Sequence, residues 1–407
     1  MSPPLRAGTR ALWGHKPLQL FLWARGFSKF ASQMLTVAVG WQVYALTSSA
    51  FDLGMVGLVQ FLPTALLVFV AGHASDRYDR KTVIRLCQVV EALAAVFLAW
   101  GSYEGWLTVP QIFTAVALFG VAGAFESPAT AALLPAIAPE GMLQKATALS
   151  TGVFQLAAIT GPAIGGLAYG VSPALPYAAM AAFWIVAALF NGAIRLDRPV
   201  SARESPTPGA LFAGAHFVRT HPAILGTISL DLFAVLLGGA SALLPIYARD
   251  ILQTGPWGLG MLRGAQAVGA LSMTALLARF AIVERVGMRM FQAVIVFGIA
   301  TVIFGISHTL WLSVLALAVM GAADTISVVI RVSLVQLATP DDMRGRVGAV
   351  NFLFINASNQ LGEFESGLTA ALFGAVPAAV LGGLGTIAVA LLWMKLFPTL
   401  RDLERLE

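Results

Sequence analysis

The sequence predicts an all-α membrane protein in which twelve transmembrane helices form two pseudo-symmetric six-helix bundles. Of the 407 residues, 58% are hydrophobic and only 11% are charged, whereas a soluble domain carries about 25% charged residues. The mean hydropathy is +0.81. In addition, residues 120–167 align without a gap with residues 321–368, pairing Pro139 with Pro340 and Gly161 with Gly362. Because both copies run in the same direction, they indicate two parallel halves related by an axis along the bilayer normal, as in secondary transporters.

The predicted spans follow from length, since a helix needs about twenty apolar residues to cross the hydrocarbon. The first apolar stretch is too long for the core of a signal peptide, which is about 7–15 residues. Prolines within spans are tolerated where neighbouring helices satisfy the freed backbone groups. The expected spans are 17–46, 53–74, 81–101, 109–136, 143–170, 174–194, 222–248, 257–280, 289–307, 311–337, 346–374 and 378–397.

A polar, proline-containing segment divides the chain. We predict an N-terminal bundle at 1–194, a cytoplasmic linker at 195–221 and a C-terminal bundle at 222–407. The second part of the linker, from Leu211 to Arg219, has two open interpretations. It forms either a short helix on the membrane surface or a flexible strap.

The positive charges predict the orientation. Most of the 25 Lys and Arg residues fall in the N-terminus, in the loops after the even-numbered spans and in the C-terminus. Arg249 is the only one in an opposite-side loop. By the positive-inside rule both termini are cytoplasmic, and we expect a multi-pass protein of the bacterial inner membrane. The basic residues form no face with stacking aromatics, so nucleic acid is not an expected partner.

The loop after the second span carries the first motif, with Gly72, Asp76, Arg77, Arg80 and Lys81. It resembles the loop signature of the major facilitator superfamily, although Asp79 stands where that family usually has glycine. A carboxylate facing a helix N-terminus and arginines binding acidic groups or carbonyls of the other half would form a conformational latch. The alternative interpretation is a solvated loop without a switching role.

The fifth span carries the second motif, Gly161, Pro162, Gly165 and Gly166. It resembles the glycine-proline signature of antiporters in this superfamily, and the resemblance implies export. Small residues also let helices pack closely without any ligand. Further similarities, including Ala24-Arg25 and the 343–347 segment, indicate the branch that contains the enterobactin exporter and related drug exporters.

Charged residues inside the spans predict the substrate and proton pathway, because each costs about 2.5–3.5 kcal/mol at a helix centre. Arg25, Glu126, Asp231 and Arg331 are expected at similar depths, on spans that the resemblance places around a central cavity. Two interpretations remain open. Either Glu126 or Asp231 exchanges a proton under the influence of the arginines, or Arg25 with Asp231 and Arg331 with Glu126 are buried pairs that close the cytoplasmic side.

Four further carboxylates lie inside the predicted spans. Asp324 lies on the same helix face as Arg331, near the midplane, and is the first choice for a carboxylate facing substrate. Glu363 and Glu365 point in opposite directions on their helix, so one is expected to face the cavity and the other the periplasmic vestibule. Glu91, on a span expected at the periphery, is interpreted as a locally satisfied packing residue.

The sequence contains no phosphate-binding loop, paired-histidine zinc motif or nucleophile elbow, so we expect no enzyme, cofactor or metal. These features favour a proton-coupled exporter of small amphipathic molecules that alternates access between its two bundles. A dedicated siderophore exporter is the alternative within transport, and a non-transporting receptor or scaffold is the alternative of another class. The expected partners are a small-molecule substrate, protons and the lipid bilayer, and the resemblance implies a monomer.

Overall fold

Long helices account for the fold, as expected. The computed structural model describes residues 15–139, 141–195, 208–280, 284–340 and 343–405, and no strand occurs among them. The long helices are α1 Lys16–Thr47, α2 Ala50–Arg77, α3 Arg80–Glu104, α4 Val109–Ile137, α5 Leu143–Val171, α6 Ala174–Ala193, α7 Pro222–Leu237, α8 Gly255–Arg279, α9 Val286–Ile306, α10 Leu310–Leu337, α11 Arg344–Phe373 and α12 Ala375–Leu396. The predicted twelve-helix class is confirmed.

Ten of the described helices are long and apolar enough to cross a membrane by length and composition alone. The other two, α1 and α11, carry several intrahelical charges. Arg25 and Lys29 lie in α1, and Glu363 and Glu365 lie in α11.

Cα packing divides the chain into two compact units. The first takes the described residues within Met1–Val39 and Leu62–Ser205, and the second takes those within Gly40–Phe61 and Pro206–Glu407. The last turns of α1 and the first turns of α2 thus pack with the second unit. The division of the chain into two six-helix bundles at 195–221 stays a prediction, and residues 196–207 of that linker lie outside the described part of the chain.

Local sequence signals explain several helix ends. Gly105 adopts φ 74° directly after α3, a left-handed conformation that glycine tolerates without a Cβ penalty. The start of α4 is capped, because the backbone N–H of Thr108 donates to the Gln111 side-chain oxygen at 2.8 Å. Pro110 lies in the first turn of α4, where a missing N–H costs nothing.

The seventh span is broken, unlike the continuous helix that the sequence predicted. After Leu237 come a 3₁₀ turn at Ala240–Leu243, one α-helical turn at Leu244–Ile246 and a π-helical turn at Tyr247–Ile251. Gly238 and Gly239 precede the 3₁₀ turn, and Pro245, which lacks a backbone donor, lies inside the α-helical turn. The break ends in the segment that carries Arg249 and Asp250.

Each unit has its own apolar core. In the first, Leu18, Phe21 and Leu22 of α1 pack with Ile84 of α3 and Leu133 of α4. In the second, Phe291 of α9 and Ile330 of α10 belong to one core.

The second part of the linker forms a helix, Pro208–Thr220. Its Val218 is buried with Ile224, Ile228, Val335 and Val347 of α7, α10 and α11. This packing explains why the segment is helical rather than a flexible strap.

Candidate functional site

The first unit contains a buried polar network centred on Glu126 of α4, which is 7% exposed. Its Oε1 atom accepts a hydrogen bond from the Ser28 hydroxyl of α1 at 3.0 Å and another from the Gln88 amide of α3 at 2.9 Å. The Gln88 oxygen in turn accepts from the Asn191 amide of α6 at 3.0 Å. Four helices therefore contribute to one hydrogen-bonded chain, and both amides are oriented by their partners.

Two basic residues of α1 lie near this network. Arg25 interacts electrostatically with Glu126, and Lys29 interacts with Glu91 of α3. The Arg25 Nε atom is buried without a hydrogen-bond partner among the described residues. The predicted proximity of Arg25 and Glu126 is therefore present inside one unit.

The surroundings of Glu91 differ from those expected of a locally satisfied packing residue. Glu91 is 4% exposed, and its Oε2 atom is buried without a hydrogen-bond partner in the described part of the chain. The interpretation was wrong because no described residue donates a hydrogen bond to this oxygen. Gln88, one turn earlier in α3, instead uses both of its amide atoms on Glu126 and Asn191.

The second unit contains a buried ion pair between Arg331 of α10 and Asp231 of α7. The side chains are 3% and 9% exposed. The interpretation that paired Asp231 with Arg25 and Arg331 with Glu126 was therefore wrong. Because α7 and α10 pack in the same unit, Arg331 reaches Asp231 directly, and Glu126 takes its hydrogen bonds from its own unit.

A small cavity of about 20 Å³ adjoins this pair. Asp231, Asp324 and Ser327 supply its polar lining, and the other lining residues are apolar, namely Ala234, Val235, Val294, Phe297 and Ala323. Among the described residues, Asp324 makes no hydrogen bond or ion pair. An unpaired carboxylate in an apolar cavity is suited to a polar or cationic group on an otherwise apolar molecule.

The two glutamates of α11 have different surroundings. Glu363 interacts electrostatically with Arg263 of α8, and its side chain packs against Gly57 of α2. Glu365 instead accepts a hydrogen bond at 2.7 Å from Thr369 in the next turn of its own helix. Their divergence is as expected from helical geometry, whereas the assignment of one to a cavity and the other to a vestibule stays a prediction.

The loop motif is anchored within the first unit. Arg80 is buried and donates to the Ala132 carbonyl of α4 at 3.3 Å, and Lys81 donates to the Ile194 carbonyl at 3.2 Å. Arg77 is exposed, a Cβ at Gly72 would meet open space, and the Asp76 side chain lies outside the described part of the chain. The basic residues bind carbonyls as expected, but those of their own unit, and the latch role stays a prediction.

The second motif forms a close helix contact. Gly161, Pro162, Gly165 and Gly166 are all buried in α5. A Cβ atom at Gly161 would lie 2.7 Å from Cβ of Gln33, and one at Gly165 would lie 3.1 Å from Cα of Met34. The motif therefore lets α5 approach α1, which is the packing role that small residues have in membranes.

A polar cluster joins the end of α1 to the π-helical turn. The Tyr44 hydroxyl donates to Asp250. Arg249 donates to the Tyr44 carbonyl at 2.8 Å and to the Ser48 hydroxyl at 3.2 Å, and its guanidinium lies 5.0 Å from the centre of the Tyr44 ring. This cluster explains why the last turns of α1 pack with the second unit.

Tyr44→Phe tests this cluster. It removes the hydroxyl and keeps the ring beneath Arg249, so we expect the free energy of unfolding to fall by about 0.5–1.5 kcal/mol. Thermal unfolding in detergent measures the change. Tyr103→Phe is the matched control, because Tyr103 is 78% exposed. Equal stability of the two variants would contradict the prediction.

Sequence reasoning missed several members of these groups. Ser28, Gln88 and Asn191 were missed because they are neutral. Arg263 was not recognised as the partner of Glu363. The available signal was the presence of a polar amide in an apolar span, as with Gln88 one turn before Glu91.

Comparisons with known proteins agree with this architecture. A family model described as a transmembrane secretion effector matches residues 14–406. The enterobactin exporter EntS of Citrobacter koseri is 27% identical over 396 residues, which cover 95% of this chain and 93% of the relative. EntS of Escherichia coli O81 is 28% identical over 382 residues, covering 92% and 86%.

Solved structures show the same fold at lower identity. The nucleoside transporter NupG has a TM-score of 0.73 at 15% identity, covering 93% of this chain and 99% of that one. A bacterial homologue of the human lysosomal transporter Spinster has a TM-score of 0.71 at 14% identity, covering 98% and 97%. Two transporters thus share the arrangement of helices described above.

Proposed function

Because the chain belongs to the transmembrane secretion effector family of the major facilitator superfamily, we propose that it is a proton-coupled exporter of small amphipathic molecules. Family and relatives are transporters, which makes it a multi-pass membrane transporter of a small molecule. The proposal adds export, proton antiport and alternating access of two bundles. It also includes a monomeric state in the bacterial inner membrane with both termini cytoplasmic, as the distribution of Lys and Arg favours.

One observation carries the proposal, namely the cavity of the second unit. It combines an apolar lining with the unpaired carboxylate of Asp324 and the Asp231–Arg331 pair. A carboxylate in such surroundings can exchange a proton for a cationic or hydrogen-bonding group, because both compete for the same oxygens. This competition is the chemical requirement for antiport.

A dedicated siderophore exporter is the second candidate. It is supported by the match over nearly the whole chain to relatives named as enterobactin exporters. A catecholate carries hydroxyl donors on an apolar ring, and these donors would suit the unpaired carboxylate of Asp324. A receptor or scaffold remains the alternative of another class, and it predicts that no compound moves protons.

Inverted membrane vesicles test the proposal. We expect a catecholate siderophore or a lipophilic cation to dissipate an imposed pH gradient, followed with a pH-sensitive dye. If folded protein gives no response to either class of compound, proton antiport is contradicted. A response to the catecholate alone favours the siderophore exporter.

Asp324→Asn tests the role of the cavity carboxylate. We expect transport to fall about tenfold or more, because a hydrogen bond to a charged group contributes about 1.5–3 kcal/mol. Initial rates of dye recovery, normalised to protein amount, measure the loss. Glu104→Gln, at an exposed carboxylate, is the matched control and should keep the wild-type rate. Wild-type transport by Asp324→Asn would remove this residue from the site.

A further inference from the structure

The first unit contains a buried carboxylate with an open bonding position. Glu91 is 4% exposed, and its Oε2 atom makes no hydrogen bond among the described residues. An ionised carboxylate in such a position is costly unless it is paired and hydrogen-bonded. Lys29 attracts it, but no ion pair within 4 Å joins the two in the described part of the chain. A proton on Glu91 would remove the charge without requiring a partner.

The neighbouring carboxylate has the opposite surroundings. Glu126 accepts two hydrogen bonds on one oxygen, from Ser28 at 3.0 Å and from Gln88 at 2.9 Å. Donors to a carboxylate favour its ionised form. Asn191 holds the Gln88 oxygen, so the Gln88 amide group presents its donor to Glu126. Glu126 therefore receives donors from two helices, whereas the Oε2 atom of Glu91 receives none among the described residues.

The charged and titratable groups around the pair come from three helices. Lys29 and Arg25 belong to α1, Glu126 belongs to α4, and Cys87 lies beside Glu91 on α3 and interacts electrostatically with both glutamates. The contact from α6 is the neutral Asn191. Gln88, which binds Glu126, lies one turn before Glu91 on α3, so the two carboxylates are close enough for their charges to interact. Two interacting carboxylates in a buried site compete for ionisation, so a proton is retained most readily by the one without hydrogen-bond donors.

We propose that Glu91 and Glu126 form a two-carboxylate proton site in the first unit, in which Glu91 holds the proton and Glu126 is ionised. The site does not involve Asp324 or the cavity of the second unit. Its role in coupling rests on the proposed function, whereas proton binding itself does not. Release of the proton would create a second negative charge, which Lys29 and Arg25 would offset.

Infrared spectroscopy of the purified full-length protein in lipid tests the site, because a protonated carboxylic acid has a carbonyl stretch separate from that of the carboxylate. We expect this band at neutral pH in the wild type and its reduction in Glu91→Gln. In Glu126→Gln the neighbouring negative charge is lost, so Glu91 ionises more easily. The band at neutral pH should then be weaker than in the wild type. Glu104→Gln is the control and should leave the band unchanged.

A second variant covers the case in which Glu91→Gln does not fold. In protein grown with ¹³C-labelled glutamate, Glu91→Asp should move the band from the labelled to the unlabelled frequency. A band that stays at the labelled frequency, or that is unchanged in folded Glu91→Gln, would overturn the site. The measurement needs no substrate, so its outcome is independent of the vesicle assay. Failure of the site with an intact vesicle response would refute the site alone, and the reverse result would refute antiport alone.

Discussion

Replacing Arg331 with Met is expected to lower the free energy of unfolding by about 3–5 kcal/mol, because it leaves the buried Asp231 carboxylate without its cation. The two side chains are 3% and 9% exposed, so water does not compensate for the loss. Methionine keeps an unbranched side chain of similar length, which limits the contribution of a cavity. Thermal unfolding in detergent, followed by tryptophan fluorescence, measures the change.

The double variant Asp231→Leu with Arg331→Met separates the charge from the packing. Replacing both members of a buried pair by apolar residues is often neutral or stabilising, so we expect the double variant to recover most of the lost stability. Arg279→Met, at an exposed arginine, is the matched control and should change stability by less than about 0.5 kcal/mol. Additive losses from the two single variants would contradict a direct interaction.

The same pair shows how far the sequence could predict the site. Asp231 and Arg331 stand out because charges are rare in apolar spans, and their depth could be counted from the helix ends. Their pairing with each other depends on the rotation of α7 and α10 about their axes and on which helices pack together. A single sequence does not contain that information. The sequence therefore predicted the residues and not the partner.

Span length predicted the helices because the required apolar length is a strong constraint. The breaks in the helices were harder to predict from the sequence. Gly238, Gly239 and Pro245 marked the irregular end of the seventh span, yet each is tolerated inside membrane helices. Gln88 and Asn191 were missed because a neutral amide in an apolar span does not reveal which helix supplies its hydrogen-bond partner. Such residues are identified by the contact that they make across helices rather than by their type.

Helix packing in the second unit gives the other large expected effect. A Cβ atom at Gly321 of α10 would overlap the backbone carbonyl oxygen of Gln266 in α8, and one at Gly269 of α8 would overlap that of Ala318 in α10. The contact is reciprocal and involves backbone atoms, which cannot move away as a flexible side chain can. We expect Gly321→Val to lower the free energy of unfolding by about 3 kcal/mol, at the upper end of the range for overpacking.

Gly321→Ala makes the test sharper, because alanine favours an isolated helix over glycine by about 1 kcal/mol. A loss of stability in this variant therefore arises from the contact with α8 and not from the helix itself. Gly123→Ala in α4 is the matched control, since a Cβ atom there would have no neighbour within 4 Å. We expect Gly123→Ala to unfold at or above the wild-type temperature and Gly321→Ala below it. The same unfolding temperature for both variants would show that α8 and α10 do not approach each other through Gly321.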